Sequence, residues 1–371
     1  MPLPEARPGD QLKIAGQEIA FSFWPVGRAT RRYRVQHRIF AADPWPLIFN
    51  EIEIRCPRRL RKTAQSFCAQ AEDFYKTSFH ANELYAKPLL LYYSMLNLAK
   101  AFILTTNNAT ADYRPDHGLS ESARPRQSAG AIIKTVLRVN RRSAFDDFLY
   151  TVSGRRLGNN HQFRLGHLLP QILTGHRVWC AAASAAERFV GVDDLQFLTG
   201  PNDRSIWIRV SLREDDVRRL NLSYAQLLRR TLLGPGWRIA RPDRKAKCIC
   251  IEKATPHRYT HRPSDHLIHV VNELRKALWT SVLLVPPYAK YYLYVTPPAE
   301  RTHTLPQLLS IYAIMFFLGS ITRYRPHHFE AIHNGPYGAP IEGFLNEAPS
   351  QFLYLLASEF LKQDVSKPAT V

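Results

Sequence analysis

Three polar side chains at a constant spacing interrupt a segment that is otherwise almost wholly apolar. Ser94, Asn97 and Lys100 lie three residues apart within Pro88–Leu104. On a helix this spacing puts them on one narrow stripe, and hydroxyl, amide and amine groups are those that bind polar ligands. The stripe therefore faces either a hydrogen-bonded seam between helices or a cleft. In the second case Tyr93, Asn97 and Lys100 line a functional site.

The overall charge indicates the kind of partner such a site would serve. The chain carries 50 Lys and Arg against 31 Asp and Glu, a net charge of +19, and basic clusters recur along its length. This distribution favours a polyanion, with nucleic acid first and an anionic membrane surface second. Tyr324, between Arg323 and Arg325, is an aromatic ring of the kind that stacks on unpaired bases. A solvated basic surface without a specific partner is the alternative.

Periodic apolar residues predict the helices that would position these groups. An amphipathic helix begins near Pro57 and continues to about Phe79. The Pro88–Leu104 helix follows after a short connection, is apolar almost all round, and belongs in the middle of a bundle. Another apolar helix resumes at Leu305 and must end near Arg325, because Pro326 cannot continue it. We expect a last helix to start near Pro349.

The segments between these helices are more varied. The polar stretch 107–130, which contains His117, predicts a long loop that is either functional or disordered. Ser143 can cap a short helix through Tyr150. Strand-like runs then begin at Ser205, Lys247 and Tyr291, and a helical pattern covers 215–233.

Together these patterns predict an α+β protein that is mainly α. We expect an irregular lead-in or arm at 1–49, a helical part at 50–180 and an α+β middle section at 181–302. A second helical part at 303–365 would complete the bundle, followed by a tail at 366–371. The middle section is therefore inserted between two helical parts.

Metal and cofactor chemistry has little support in the sequence. Cys248 and Cys250 lie close to several histidines, as zinc ligands do, but the usual ligand spacing is missing and core packing is the competing interpretation. The pairs 146–147 and 215–216 are adjacent carboxylates, which point apart and are expected on solvated faces. We predict no metal and no cofactor.

The cysteines and the apolar runs bear on location. Five cysteines are an odd and sparse set, and the N-terminus has no apolar signal segment, which together predict a reducing cytoplasm. The longest apolar run, 308–318, is shorter than the roughly 18–20 residues that span a bilayer. We therefore expect no membrane partner.

Two segments resemble a known family. The run Lys87–Ala101, followed by His117-Gly118-Leu119, is similar to the N-terminal signature of YaaC-like bacterial proteins. The run Phe316–Pro326 is similar to their C-terminal signature, an apolar helix that closes on Gly-Ser and Arg-Tyr-x-Pro. By order and spacing the resemblance covers roughly 50–360.

The Tyr-rich helix also resembles the core helix of HEPN domains, which are small helical bundles. Many of these domains are dimeric, metal-independent ribonucleases whose signature is an Arg, four to six residues, then a His. Arg323 and His328 have that spacing, so the resemblance implies that they are the catalytic pair. Histidine would move protons and arginine would hold the phosphate, and Arg325 or His327 could substitute.

The resemblance therefore implies an HEPN-like bundle with an inserted α+β section. It leaves two main functions open, besides a nucleotide-binding sensor, since HEPN bundles can bind nucleotides without cutting RNA. The first is RNA binding with metal-independent ribonuclease activity, in antiphage defence or a stress response. Its substrate-binding residues would be Tyr93, Asn97, Lys100, His117, Tyr324, Arg325 and His327. The second is a non-enzymatic subunit that binds nucleic acid or protein. A homodimer or a partner protein is expected in either case.

Overall fold

A computed structural model describes most of the 371-residue chain. The described residues are 3–14, 16–25, 38–80, 85–106, 113–122, 131–138, 141–200, 204–242, 247–260, 263–282 and 289–368. The segment 26–37, the ends of the loop predicted at 107–130, and His261 lie outside these ranges.

The helices are α1 (Trp45–Arg55), α2 (Arg58–His80), α3 (Ala86–Thr105), α4 (Ala144–Ser153), α5 (Leu165–Leu168), α6 (His176–Ala183), α7 (Glu214–Arg219), α8 (Tyr224–Arg230), α9 (Ser264–Asn272), α10 (Gln307–Tyr324), α11 (Pro326–His333) and α12 (Gly338–Leu361). The strands are β1 (Asp10–Gln11), β2 (Lys13–Ile14), β3 (Gln17–Glu18), β4 (Ile39–Phe40), β5 (Leu119–Ser122), β6 (Ile132–Thr135), β7 (Gln162–Arg164), β8 (Phe189–Thr199), β9 (Ser205–Arg213), β10 (Trp237–Ala240), β11 (Cys248–Lys253), β12 (His257–Arg258), β13 (Leu278–Val282), β14 (Ala289–Tyr294) and β15 (Val365–Ser366).

The architecture is α+β, and the chain divides into two compact units. The helical unit comprises Asp43–Ala185 and Thr302–Leu361, and the sheet unit comprises Met1–Ala42, Ala186–Arg301 and Lys362–Val371. The lead-in predicted at 1–49 is thus divided, since its first part belongs to the sheet unit and α1 begins at Trp45. The C-terminal tail also belongs to the sheet unit, where β15 pairs in parallel with β4.

The sheet unit is organised around one antiparallel sheet. Its strand order is β10-β11-β9-β8-β14-β13, with β1 added on β8 and β12 on β9. Side chains of β8, β9 and β11 form a core with the buried face of α9, including Phe197, Ile208, Ile251 and Leu267. The strands predicted near 205, 247 and 291 are confirmed as β9, β11 and β14, while the helical pattern at 215–233 is two short helices, α7 and α8.

Helix α3 is the core of the helical unit. It packs against α2, α4, α10 and α12, as its nearly continuous apolar surface predicts. By length and composition α3 would also pass as a membrane-spanning helix, but 78% of that span is buried within the protein. A three-stranded antiparallel sheet, β5-β6-β7, belongs to the same unit.

A glycine sets how closely α10 approaches α3. A Cβ atom at Gly319 would lie 3.0 Å from the Cβ of Tyr92 and 3.2 Å from the carbonyl oxygen of Pro88. Real Cβ atoms rarely come so near to other atoms, so a larger residue would push the two helices apart. Arg323 is one turn beyond Gly319 and on the same face of α10. The close approach therefore brings Arg323 alongside α3.

Three local predictions were wrong. The loop predicted at 107–130 contains strand β5, which pairs with β6. Asp146 and Asp147 are 7% and 3% exposed and accept hydrogen bonds from Arg156 and Arg142 respectively, so this pair is buried and neutralised instead of solvated. The last helix does not start near Pro349, because α12 begins at Gly338 and contains that proline. Burial of one face of α12 outweighs the local cost of the proline.

Candidate functional site

A cavity of about 400 Å³ lies in the helical unit beside α2 and α3. Its walls are Phe67, Gln70, Phe74, Tyr93, Leu96, Asn97, Lys100 and His117. The set includes the four residues that were predicted to line a cleft, namely Tyr93, Asn97 and Lys100 of α3 and His117 of the segment that follows it. The volume lies within the range of about 300–1,000 Å³ that is usual for small-molecule sites.

Helix α2 supplies a wall that the sequence did not assign to the site. Phe67, Gln70 and Phe74 are spaced three and four residues apart, so they lie on one face of α2. The phenyl ring of Phe74 and the phenol ring of Tyr93 have centroids 5.9 Å apart. The amphipathic pattern over 57–79 predicts Phe67 and Phe74 as core residues and Gln70 as part of the solvated face. Gln70 is exposed, as predicted, and all three also border the cavity.

The polar stripe of α3 divides between the two roles considered for it. The Ser94 hydroxyl donates to the carbonyl oxygen of Ala71 at 2.8 Å, which is a seam contact between α3 and α2. Asn97 is 5% exposed, and its amide nitrogen donates to Oε1 of Gln70 at 2.7 Å. Asn97 and Lys100 both border the cavity. The stripe thus forms a seam at Ser94 and a cavity wall from Asn97 onward.

Lys100 places a cation beside an aromatic ring. Its Nζ lies 5.2 Å from the centroid of the Phe67 ring, within the range of a cation–π interaction. Burial lowers the pKa of Lys100 from its ordinary value of 10.5. A partly desolvated ammonium gains more from an anionic ligand than a fully hydrated one does.

His117 stands at the mouth of the cavity and is held by Tyr92. The Tyr92 hydroxyl and Nδ1 of His117 are 2.5 Å apart, so Nε2 is the ring nitrogen left for a ligand. Burial of the ring against Tyr92 lowers the pKa of His117 below its ordinary 6.5, and the charges of Lys100 and Arg323 lower it further despite Asp116. The imidazole is therefore mainly neutral at pH 7.

The backbone around His117 is fixed by the start of α4. Ser143 caps α4, as predicted, by accepting from the backbone N–H of Asp146 at 3.1 Å. The carbonyl oxygen of Asp116 accepts from Ala144 N–H at 2.8 Å. Gly118 has φ +80°, and a Cβ there would collide with the Ser143 side chain. The residue after His117 must therefore be glycine for this segment to keep its backbone conformation.

Arg323 reaches the same cavity wall from α10. Its guanidinium donates to the Tyr93 hydroxyl at 2.7 Å and lies 5.0 Å from the centroid of the Tyr324 ring. Tyr324 itself is 66% exposed. Lys100 and His117 thus line the aromatic-walled cavity, and Arg323 adds a further positive charge beside it through its hydrogen bond to Tyr93.

The other predicted residues of the 323–328 segment have different neighbours. Arg325 is the residue between α10 and α11 and pairs with Glu121 at 3.3 Å. His328 is 8% exposed in the first turn of α11, and its ring centroid is 4.4 Å from that of His327. Arg323 and His328 therefore stand on separate helices, and the contacts of Arg323 are with Tyr93 and Tyr324.

No metal centre is evident in the described part of the chain. No three His, Cys, Asp or Glu side chains within it are arranged to hold an ion. Cys250 is buried, and its thiol donates to the carbonyl oxygen of Ala240 at 3.4 Å. His257 and His266, two of the histidines near it in sequence, contact each other at 2.8 Å between Nε2 and Nδ1.

The fold and the site define an α+β protein whose helical unit carries a basic cavity with aromatic walls. The family model for YaaC-like Protein matches residues 36–360, and the chain belongs to this family. The resemblance in Lys87–Ala101 and Phe316–Pro326 is thereby confirmed. Comparison with curated proteins and with solved structures finds no match.

Proposed function

We propose that this YaaC-like protein binds single-stranded RNA and seats one nucleotide in the cavity beside α2 and α3. The observation that carries the proposal is the convergence of Arg323 and Lys100 on a cavity walled by Phe67, Phe74 and Tyr93. Aromatic rings stack on unpaired bases of any sequence. Arginine and lysine bind the phosphate that accompanies each base.

Charge outside the cavity supports a polymer as the ligand. Asp116, next to His117 in sequence, pairs with Arg141 at 3.3 Å and Arg138 at 3.6 Å, and these arginine side chains are 62% and 64% exposed. Since the two arginines share one carboxylate, the surface formed by Asp116, Arg138 and Arg141 keeps a net positive charge. The net charge of +19 acts in the same direction.

Metal-independent cleavage of the bound RNA extends the proposal. The 2′-hydroxyl oxygen would attack the adjacent phosphorus as Nε2 of a neutral histidine takes the hydroxyl proton. The bond from phosphorus to the 5′-oxygen breaks, that oxygen receives the proton from the imidazolium, and a 2′,3′-cyclic phosphate remains. Arg323 would stabilise the charge that grows on the phosphate oxygens.

Two histidines compete for the proton-transfer role. The HEPN-like interpretation of the bundle assigns it to His328, with Arg323 as its partner. The geometry favours His117, because it lines the same cavity as Tyr93 and His328 does not. The base role requires the tautomer in which Nδ1–H donates to the Tyr92 oxygen, because Nε2 then has a free lone pair.

A non-enzymatic RNA-binding subunit is the second candidate, and one observation favours it. Among the described residues, His117 is the sole histidine lining the cavity, so one imidazole would have to act first as the base on one side of the phosphate and then as the acid on the other. Either function would operate in the cytoplasm, in antiphage defence or a stress response. A homodimer or partner protein could supply the second group.

Incubation of labelled single-stranded RNA with the protein in EDTA tests both candidates. Wild type, Arg323→Ala, His117→Gln and His328→Ala would be compared after each is shown to be folded. Cleavage that leaves 2′,3′-cyclic ends and is lost in Arg323→Ala and His117→Gln supports the enzyme with His117. Loss in His328→Ala instead assigns the role to His328. RNA that is bound and left intact supports the binding subunit, and RNA that is neither bound nor cut rejects the proposal.

A further inference from the structure

Asn97 is a buried amide with bonding capacity left over. It is 5% exposed and lies in the cavity wall. One of its amide hydrogens is given to Gln70 Oε1 at 2.7 Å. Within the described residues its side chain has no other hydrogen-bond partner, so Oδ1 and the second N–H are available. A ligand in the cavity can therefore accept from the amide nitrogen and donate to Oδ1.

The contact with Gln70 also fixes the orientation of the amide. Gln70 comes from α2 and Asn97 from α3, two helices that pack side by side. A side chain held between them loses little further rotamer freedom when a ligand binds. The oxygen and the nitrogen lie next to each other on one planar group, and they can pair with one base edge when Gln70 accepts the hydrogen that points away from Oδ1. Asn97 therefore offers one acceptor and one donor with preset directions.

We propose that Asn97 reads the base of the bound nucleotide and selects adenine, an inference that rests on the proposed function. Adenine has an N–H donor at N6 between acceptors at N1 and N7. A carboxamide can therefore pair with it through either edge, and asparagine is the usual partner of adenine N6 and N7. On the edge that corresponds to adenine N6 and N7, guanine offers only acceptors, O6 and N7.

The surroundings of Asn97 suit a purine. The rings of Phe67, Phe74 and Tyr93 supply the stacking surface, and stacking strengthens with the size of the base. Lys100, which would compete for guanine O6, is drawn toward the ring of Phe67 at 5.2 Å. Gln70 is the other amide in this wall, but it is exposed, so Asn97 is the buried one of the two amides.

The test is the affinity of wild type and Asn97→Asp for short oligomers of A, G, C and U, with Gln70→Ala as a second variant. Aspartate keeps the shape of asparagine and replaces the donor N–H by an acceptor. We expect wild type to prefer oligo(A) by roughly fivefold to 100-fold, the range of one bidentate pair. Asn97→Asp should lose that preference, and Gln70→Ala should weaken it by freeing the amide.

Base analogues give a second reading of the same contact. Replacing adenosine by 7-deazaadenosine or by 1-deazaadenosine removes the acceptor at N7 or at N1. One of the two should reduce binding to wild type but leave binding to Asn97→Asp unchanged, because aspartate has no N–H to donate there. Equal affinity for all four oligomers, or a preference that survives in Asn97→Asp, overturns the inference and leaves RNA binding standing. If no RNA binds, the proposed function fails. In that case adenosine alone decides the inference. A thermal shift in wild type that is absent in Asn97→Asp supports it, and no shift in wild type overturns it.

Discussion

The guanidinium of Arg323 donates a hydrogen bond to the hydroxyl of Tyr93 at 2.7 Å, across 230 positions of sequence. This contact joins the two segments in which the family resemblance is strongest, the Tyr-rich helix α3 and the end of α10. It also holds a permanent positive charge at the wall of the cavity. The proposed site depends on this pairing, so it is the first one to test.

Replacing Arg323 by alanine should reduce RNA affinity about tenfold to 100-fold, the range for loss of a charge-assisted hydrogen bond. The free energy of unfolding should fall by no more than about 1 kcal/mol, because the contact with Tyr93 is exposed. Fluorescence anisotropy and urea unfolding measure the two quantities. Arg325→Ala is the matched control, since Arg325 pairs with Glu121, and its affinity loss should be smaller. Equal losses in both variants would contradict a specific role for Arg323.

Gly319→Ala should destabilise the protein by about 1–3 kcal/mol, although alanine favours helix. The added Cβ would meet the Tyr92 Cβ at 3.0 Å and the Pro88 carbonyl oxygen at 3.2 Å, so α10 must move. Gly343→Ala in α12 is the control, because no atom lies within 4 Å of its added Cβ. The free energy of unfolding of the Gly343→Ala variant should rise by up to about 1 kcal/mol. A neutral result at Gly319, measured by urea unfolding, would show that α10 and α3 can separate freely.

His117 should titrate below its ordinary pKa of 6.5, because burial, Lys100 and Arg323 all disfavour the imidazolium. The unfolded chain then binds more protons than the folded one at mildly acidic pH, so this contribution to stability is present above pH 6.5 and is lost as pH falls through the folded pKa. NMR titration of the imidazole checks the pKa directly. Unfolding of His117→Gln should be less sensitive to acid in that window, and a midpoint above 6.5 would refute the assignment.

Lys100→Met should lower RNA affinity and flatten its salt dependence. One fewer phosphate contact reduces the slope of log affinity against log salt by about 0.7 for a single strand. Methionine keeps the apolar stem that packs near Phe67, so the fold should be preserved. Binding titrations at several salt concentrations give the slope. An unchanged slope would show that Lys100 does not contact a phosphate of the bound RNA.

How much of the site the sequence predicts depends on whether its residues are close along the chain. Tyr93, Asn97 and Lys100 share one helical segment, so helical spacing alone placed Asn97 and Lys100 on one stripe and Tyr93 beside it. The apolar period also predicted α3 and α10, and the position of Pro326 predicted where α10 ends. These are local properties, which propensity and pattern express directly.

The remaining features depend on packing between distant segments. Arg323 meets Tyr93 because Gly319 lets α10 approach α3, and no local pattern carries that information. Gln70 is exposed, as its place on the polar face of α2 predicts, but its contact with Asn97 on another helix was not predicted. Asp146 and Asp147 looked solvated because the arginines that neutralise them come from loops outside α4. In each case the partner was decided by tertiary structure.

The central claim is that RNA occupies the cavity beside α2 and α3, and ultraviolet crosslinking tests it most directly. Mixed-sequence single-stranded RNA would be crosslinked to the full chain, and the attached peptides would be mapped by mass spectrometry. We predict attachment at Phe67, Phe74 or Tyr93, with the yield reduced in Arg323→Ala. Crosslinks confined to the sheet unit, or unchanged in yield in that variant, would contradict the claim.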